Sequence, residues 1–251
     1  MGISFDRIAD KYDTTRGYPE NIMRDILEAL DKELRKKDII LDAGMGTGRF
    51  TKPLQANGYQ VVGVDISPRM ITKAREKGVE NMFRADLLAL PFRDLVFDKT
   101  ISIHVLHLIK HWRDALHEIG RVTKEEFISV AFNKEDSPAE EIRNAYDRAC
   151  EELGHVVRHP GMRERELPDV LQPDDVRPIV LHEHPVDVKS LIQDYETRTF
   201  SSQWSVPDEI HDEAIELLKD QFGELDQVQG IERISLMIWN ADKLRNLEPC
   251  D

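Results

Sequence analysis

The chain has 251 residues, 40% of them apolar and 33% charged, and its 34 Lys and Arg against 48 Asp and Glu give a formal net charge of −14. That length suits one sizeable α/β domain with its own core and is short for two, and no apolar run reaches the length of a bilayer span. The acid excess argues against nucleic acid as a partner, because a chain that grips phosphates neutralises them with Lys and Arg. Nothing resembles a signal peptide, so the expected compartment is the cytoplasm. Cys150 and Cys250 have no metal or redox spacing and read as free thiols.

Along the chain, the apolar pattern alternates between strand and helix periods. Pro19 suits a first helical turn, and Ile22, Ile26, Leu30 and Leu34 recur beside Met23 and Leu27, predicting an amphipathic helix over 19–37. Residues 39–50 read IILDAGMGTGRF: a strand, then Gly44, Gly46 and Gly48, then a helix over 49–56. A second strand at 59–64 ends in Asp65, and Ser67-Pro68 opens a helix over 69–77 that Gly78 closes. A third strand at 81–85 ends in Asp86, and a fourth at 95–103 runs into His104 and His107.

A helix over 112–122 turns Leu116 and Ile119 inward and precedes a fifth strand at 127–132. Ser137 and Pro138 begin a helix that reaches Gly154, and a Pro-, Arg- and His-rich stretch covers 155–177. Strand-like segments at 178–184 and 233–240 flank a helix running from Pro207 to about Gln221. The order predicts a doubly wound, mostly parallel Rossmann-like sheet with helices on both faces and ligands at the carboxyl ends of its strands.

Four strand ends therefore bring polar residues to one rim. Alternating glycines let backbone approach a ligand where a side chain would collide, and Asp65 follows at about the spacing at which an acid meets a ribose held over such a loop. Two details count against a dinucleotide. The third small residue of that fingerprint is replaced by Arg49, and Asp42, just before the loop, would repel a pyrophosphate but attract an ammonium or sulfonium. S-adenosylmethionine carries a ribose, an adenine and both cations without a phosphate.

The ordered set FDRIADKYD, LDAGMGTGRF, VVGVDIS, FRADLLALPF, FDKTISIHVLHLI and ALHEIGRVTK resembles the class I S-adenosylmethionine-dependent methyltransferases over roughly residues 5–135. Within them it is similar to the small-molecule branch, methyltransferase type 11, that includes the ubiquinone/menaquinone C-methyltransferases. The resemblance implies one domain over 1–251, with a seven-stranded sheet whose last strands form an antiparallel edge. It also implies an N-terminal arm over 1–20 that covers the cofactor, and a partly irregular acceptor-site wall within 136–206.

It implies roles as well. Asp42, Gly44 and Gly46, in the loop that Gly48 completes, would hold the methionine portion. Asp65 would accept from the ribose hydroxyls, Ile66 and Met70 would pack on the adenine, Asp86 would accept from its exocyclic amine, and Leu87 would offer a backbone N–H. The stretch from Ser102 to His107 would lie beneath the methyl, and Tyr12 and Arg16 could reach the cofactor carboxylate. One departure stands out: family members commonly have Pro-Gly-Gly before the fifth strand, where this chain has Lys124-Glu125-Glu126.

The implied reaction moves a methyl group to a small-molecule acceptor by in-line displacement, with His104 as a base where one is needed and Tyr12 as an orienting group. Asp98 reads as structural and His107 as packing, capping or catalytic. No metal is expected, since His104-x-x-His107 and His182-x-His184 lack further ligands at recognised spacing. Tyr195, Phe200 and Trp204 suit either a core or an acceptor wall, and Arg143, Arg148, Arg158, Arg163 and Arg165 read as a solvated face. Two alternatives stay open: a catalytically silent cofactor-binding module serving a partner protein, and an RNA-modifying methyltransferase, which one basic strip of those arginines would favour. Monomer and homodimer are equally compatible with the sequence.

Overall fold

The computed structural model describes residues 17–248. Its sheet has seven strands in the order β3-β2-β1-β4-β5-β7-β6, with the last strands antiparallel. The strands are β1 (Ile39–Ala43), β2 (Gln60–Asp65), β3 (Met82–Arg84), β4 (Phe97–Ser102), β5 (Thr123–Lys134), β6 (Asp175–Asp187) and β7 (Gln227–Asn240). The first five pair in parallel, and the order reverses between β1 and β4, where Leu41 lies opposite Thr100 and Asp42 opposite Ile101. The crevice at the carboxyl ends of those two strands is the topological switch point at which such sheets take ligands.

The described residues form two compact units: 17–131, 160–180 and 235–248 make up one, and residues 132–159 and 181–234 the other. In the first, helix α1 (Glu20–Glu33) buries Ile22, Ile26 and Leu30. It stops four residues before its expected end because Leu34 turns to extended backbone and is buried there, while Asp38 takes the Arg35 backbone N–H and guanidinium. Helices α2 (Thr51–Ala56), α3 (Pro68–Glu76) and α4 (Trp112–Val122) follow in register with the strands. The α4 stripe of Ala115, Leu116, Ile119 and Val122 joins Leu41, Val64, Phe97, Phe127 and Trp239 in one apolar core.

The Lys124-Glu125-Glu126 departure has a physical account. No turn separates α4 from β5: Thr123 ends the helix in extended backbone and begins the strand. Each of the three side chains is used instead, Lys124 on Asp98 at 2.8 Å, Glu125 on Arg35 at 2.6 Å and Glu126 on the buried Lys99 at 2.6 Å. Asp98 also accepts the Ile39 N–H at 2.8 Å, so this acid tethers the start of β1, the structural role its early position in β4 suggested.

The second unit packs α5 (Pro138–Glu152) with two helices that follow in order of sequence. Before them, a short α6 (Leu167–Val170) belongs to the first unit. Then come α7 (Val188–Glu196) and α8 (Asp208–Phe222), while the terminal α9 (Ala241–Arg245) returns to the first unit. Ser137 and Asp187 cap α5 and α7 through the Glu140 and Ser190 N–H groups. Within the wall over 136–206 expected to be partly irregular, the segment 186–206 is largely helical, through α7 and a 3₁₀ turn at Ser201–Ser205. Tyr195 is buried against Tyr146 and Phe200, with ring centroids 4.6 and 5.0 Å apart, and Tyr146 is hydrogen-bonded to His211 at 2.7 Å. Tyr195 and Phe200 thus belong to the core of this unit, while Trp204 is half-buried and donates its indole N–H to the Arg198 carbonyl at 2.8 Å. Cys150 is a free, buried thiol, and Cys250 lies outside the described residues.

Candidate active site

Ala43 and Ser102 end β1 and β4 side by side. The Ser102 hydroxyl donates to the Ala43 carbonyl at 2.9 Å, and the Ser129 hydroxyl donates to the Ser102 carbonyl at 2.8 Å. Both serines are fully buried, so these bonds fix the strand ends from which the flanking loops depart.

The loop after β1 is built on left-handed backbone, with φ of +81° at Gly44, +57° at Gly46 and +75° at Gly48. The Gly44 and Met45 N–H groups both donate to the Val64 carbonyl at 2.9 Å, which seats the loop over the end of β2. A Cβ on Gly44 would lie 2.4 Å from a Val105 methyl, and one on Gly48 would lie 2.4 Å from a Val79 methyl. These two glycines therefore serve packing as well as conformation. Gly63, which the motif did not single out, is part of the same device: a Cβ there would meet the Met45 sulfur at 2.2 Å.

Gly46 is the member that faces Asp65. Its N–H donates to Asp65 Oδ2 at 2.9 Å, and the Ser67 N–H donates to Oδ1 at 2.8 Å, so one carboxylate ties the β1 loop to the β2 loop. Asp65 is not the helix cap; Ser67 is, accepting the Met70 N–H at 3.1 Å. Met70 is buried in the first turn of α3, and Ile66, half-buried, offers its carbonyl to Arg84 at 3.1 Å. Asp86 closes its own turn, accepting the Leu88 N–H at 3.1 Å, and Leu87 belongs to the apolar core.

Asp42 is only 3% exposed and accepts the Thr51 hydroxyl at 2.5 Å, which positions the start of α2. Burial raises its carboxyl to about 7 and the nearby Asp65 charge adds to this, against the hydrogen bonds from Thr51 that pull it down. The site thus holds a carboxylate whose ionised form is poorly compensated by its own surroundings, which a ligand cation would supply.

At the other side of the crevice, His104 sits in left-handed backbone, φ +61°, at the head of the loop after β4. Its Nε2 is 2.6 Å from the Tyr18 hydroxyl, and its ring is edge-on to His107, with centroids 6.5 Å apart. The Arg49 guanidinium lies 5.7 Å from the centre of the Tyr18 ring. Buried Glu164 faces this loop: Oε1 accepts the Val105 and Leu106 N–H groups at 2.6 and 3.1 Å, and Oε2 lies 3.7 Å from His107 Nδ1. Burial pushes the Glu164 acid up, but His107, then His104 and the residue's own backbone N–H outweigh it and bring it to about 2.

Sequence reasoning missed Tyr18 and Glu164. Tyr18 stands just before the Pro19 that opens α1, which is a usable signal; Glu164 lies in the run RERE, which carries none. Tyr12 and Arg16 lie outside the described residues. Among the described residues no group of three or more His, Cys, Asp or Glu side chains could hold a metal ion, and no helix is long and apolar enough to cross a membrane. Three of the five arginines face acids, Arg143 on Glu140, Arg148 on Glu141 and Arg163 on Glu166.

Residues 41–128 match a family model described as a methyltransferase domain. The chain is 35% identical over 133 residues to the uncharacterized protein MJ1252 of Methanocaldococcus jannaschii, covering 52% of this chain and 51% of that one. It is 34% identical over 127 residues to a demethylmenaquinone methyltransferase of Paenarthrobacter aurescens, covering 48% of this chain and 49% of the relative. The chain thus spans about half the length of these curated relatives. Among solved structures, the S-adenosylmethionine-dependent methyltransferase TM1293 of Thermotoga maritima superposes with a TM-score of 0.54 at 17% identity, over 94% of this chain and 98% of that one, a likeness of fold.

Proposed function

From the match of residues 41–128 to a methyltransferase-domain model and the geometry of the strand ends, we propose that the protein binds S-adenosylmethionine at the carboxyl ends of β1 and β2 and methylates a small-molecule acceptor. The observation that carries this reading is the Asp65 carboxylate, which joins the Gly46 and Ser67 N–H groups where a ribose would meet it. The donor set fits the ligand: left-handed glycine backbone that admits close approach, a buried carboxylate for an ammonium, and an acid at the second strand end. When bound, S-adenosylmethionine supplies an activated methyl on a sulfonium, open to in-line displacement.

We assign the protein's own residues as follows. Asp42 and the backbone of Gly44, Gly46 and Gly48 receive the methionine portion, with Asp42 supplying negative potential from its buried position. Asp65 accepts from the ribose. Ile66 and Met70 flank the adenine, with Asp86 and the Leu87 N–H at its polar edge. Ser102 fixes the floor, and His104 takes a proton from a hydroxyl or acidic C–H acceptor where one must leave. Tyr18, whose hydroxyl lies 2.6 Å from His104 Nε2, is a further orienting group beside Tyr12, which with Arg16 stays assigned to the arm that covers the cofactor. Acceptor contacts are proposed for Pro160–Val180, the part of the expected wall that belongs to the same unit as His104.

Pairing of Arg143, Arg148 and Arg163 with acids, together with the net charge of −14, favours a small acceptor over RNA. On composition, the cytoplasm is the compartment we propose. Incubation with labelled S-adenosylmethionine and a panel of phenols, thiols and amines tests the reading. Transfer to at least one acceptor is expected; saturable binding without transfer to any would favour the catalytically silent module.

A further inference from the structure

The loop after β4 carries the residue proposed to meet the acceptor, yet its only regular structure is a single 3₁₀ turn, Leu106–Leu108. What holds it lies far away in sequence. Glu164 is 5% exposed and puts one carboxylate oxygen on two consecutive backbone N–H groups, those of Val105 and Leu106. These open the 3₁₀ turn and follow immediately on His104. Its second oxygen faces His107.

Two further contacts make this a built clamp. The Gly161 N–H donates to the His107 carbonyl at 3.0 Å, and Gly161 approaches so closely that a Cβ would lie 2.1 Å from the Leu106 carbonyl oxygen and 2.4 Å from that of Ile109. On its other side, the Val105 side chain fills the space that a Cβ on Gly44 would occupy. The loop is thus held between the segment carrying Gly161 and Glu164 and the glycine loop, and His104 keeps a left-handed backbone at the point where it enters the clamp. Such conformations persist in non-glycine residues only when their surroundings over-determine them.

Resting on the functional reading above, we propose that Glu164 is a positioning residue for methyl transfer: its buried carboxylate fixes the loop after β4 and sets the charge environment of His107, thereby aiming His104. Glu164 touches neither proposed ligand and acts through the loop.

The test uses the whole chain and the probe S-adenosylhomocysteine. Glu164→Gln keeps an oxygen for the two N–H groups but removes the charge. Nitrogen NMR at one fixed pH should show the His107 and His104 ring resonances displaced from their wild-type positions, because the carboxylate that faces His107 and holds the loop has lost its charge. Calorimetry should leave S-adenosylhomocysteine affinity within about twofold. A merely structural acid would leave both ring spectra as in the wild type, and that result would overturn the proposal. Failure of the wild type to bind S-adenosylhomocysteine would sink the functional reading alone, since the histidine shifts are read without ligand. Should Glu164→Gln not fold, hydrogen exchange on the wild type decides: strong protection of the Val105 and Leu106 amides is expected, and exchange at unprotected rates would refute the clamp.

Discussion

The Asp65 carboxylate accepts the Gly46 backbone N–H at 2.9 Å across the ends of β1 and β2. Together with the Gly44 and Met45 N–H bonds to the Val64 carbonyl, this bond seats the glycine loop over the second strand, with the acid at the rim. Asp65→Ala should therefore weaken S-adenosylhomocysteine binding by on the order of 1.5–3 kcal/mol, the cost of losing charge-assisted hydrogen bonds. Calorimetry on a folded variant with unchanged affinity would contradict the ribose assignment.

Gly46→Val should abolish binding while leaving most helix content by circular dichroism, because the side chain enters the ligand's space more than the core. Gly44→Ala acts differently. It combines left-handed strain with a clash on Val105, and should lower stability by roughly 1–3 kcal/mol. Adding Val105→Ala should restore part of that loss; a double variant no more stable than the single would show that the clash is not the cause.

The Asp42 acid, raised by burial to about 7, favours the folded state in its protonated form. Its contribution is complete below the ordinary carboxyl value of 3.8 and is lost as pH rises through about 7. Asp42→Asn should consequently raise the melting temperature at pH 8, where the wild type holds a buried charge, and weaken binding of the ammonium-bearing ligand. For the wild type, S-adenosylhomocysteine affinity should increase from pH 5.5 to 8, whereas 5′-methylthioadenosine, which has no ammonium, should bind independently of pH over that range. Parallel profiles for the two ligands would remove Asp42 from the methionine site.

Glu164 has the opposite sign. Depressed from 4.5 to about 2, it contributes stability that is present above 4.5 and lost as pH falls through about 2. The difference corresponds to on the order of 3 kcal/mol. Acid titration of stability should be flatter in Glu164→Gln over that window, and an unchanged slope would place the acid lability elsewhere.

His104→Ala should keep S-adenosylhomocysteine affinity and lose turnover on a hydroxyl acceptor by roughly 10²–10⁴-fold, the usual contribution of a positioned base. A thiol that ionises by itself should be far less affected. Full turnover on the hydroxyl acceptor would remove the base assignment without touching the cofactor site.

The parallel half of the fold was legible because each of its signals is local: an apolar run ending in an acid at Asp42, Asp65 and Asp86, a cap at Ser67-Pro68, and the stripe of α4. What Gly44 and Gly48 do was only half visible, since their collision partners, Val105 and Val79, are brought close by the fold. The end of α1 depended on Leu34 and Asp38 finding burial, and the direct passage from α4 into β5 depended on three charged side chains finding Arg35, Lys99 and Asp98. Glu164 could not have been singled out, because a buried acid and a solvated one look alike in the sequence RERE until the backbone N–H groups it accepts from are known.

The central claim is that this glycine loop and its carboxylates select a cationic nucleoside rather than a phosphate-bearing one. Isothermal titration of the wild-type chain with S-adenosylhomocysteine, run beside an identical titration with NAD, tests it most directly. Saturable one-to-one binding of the first and no heat of binding from the second is the predicted result; binding of NAD with none of S-adenosylhomocysteine would contradict the account.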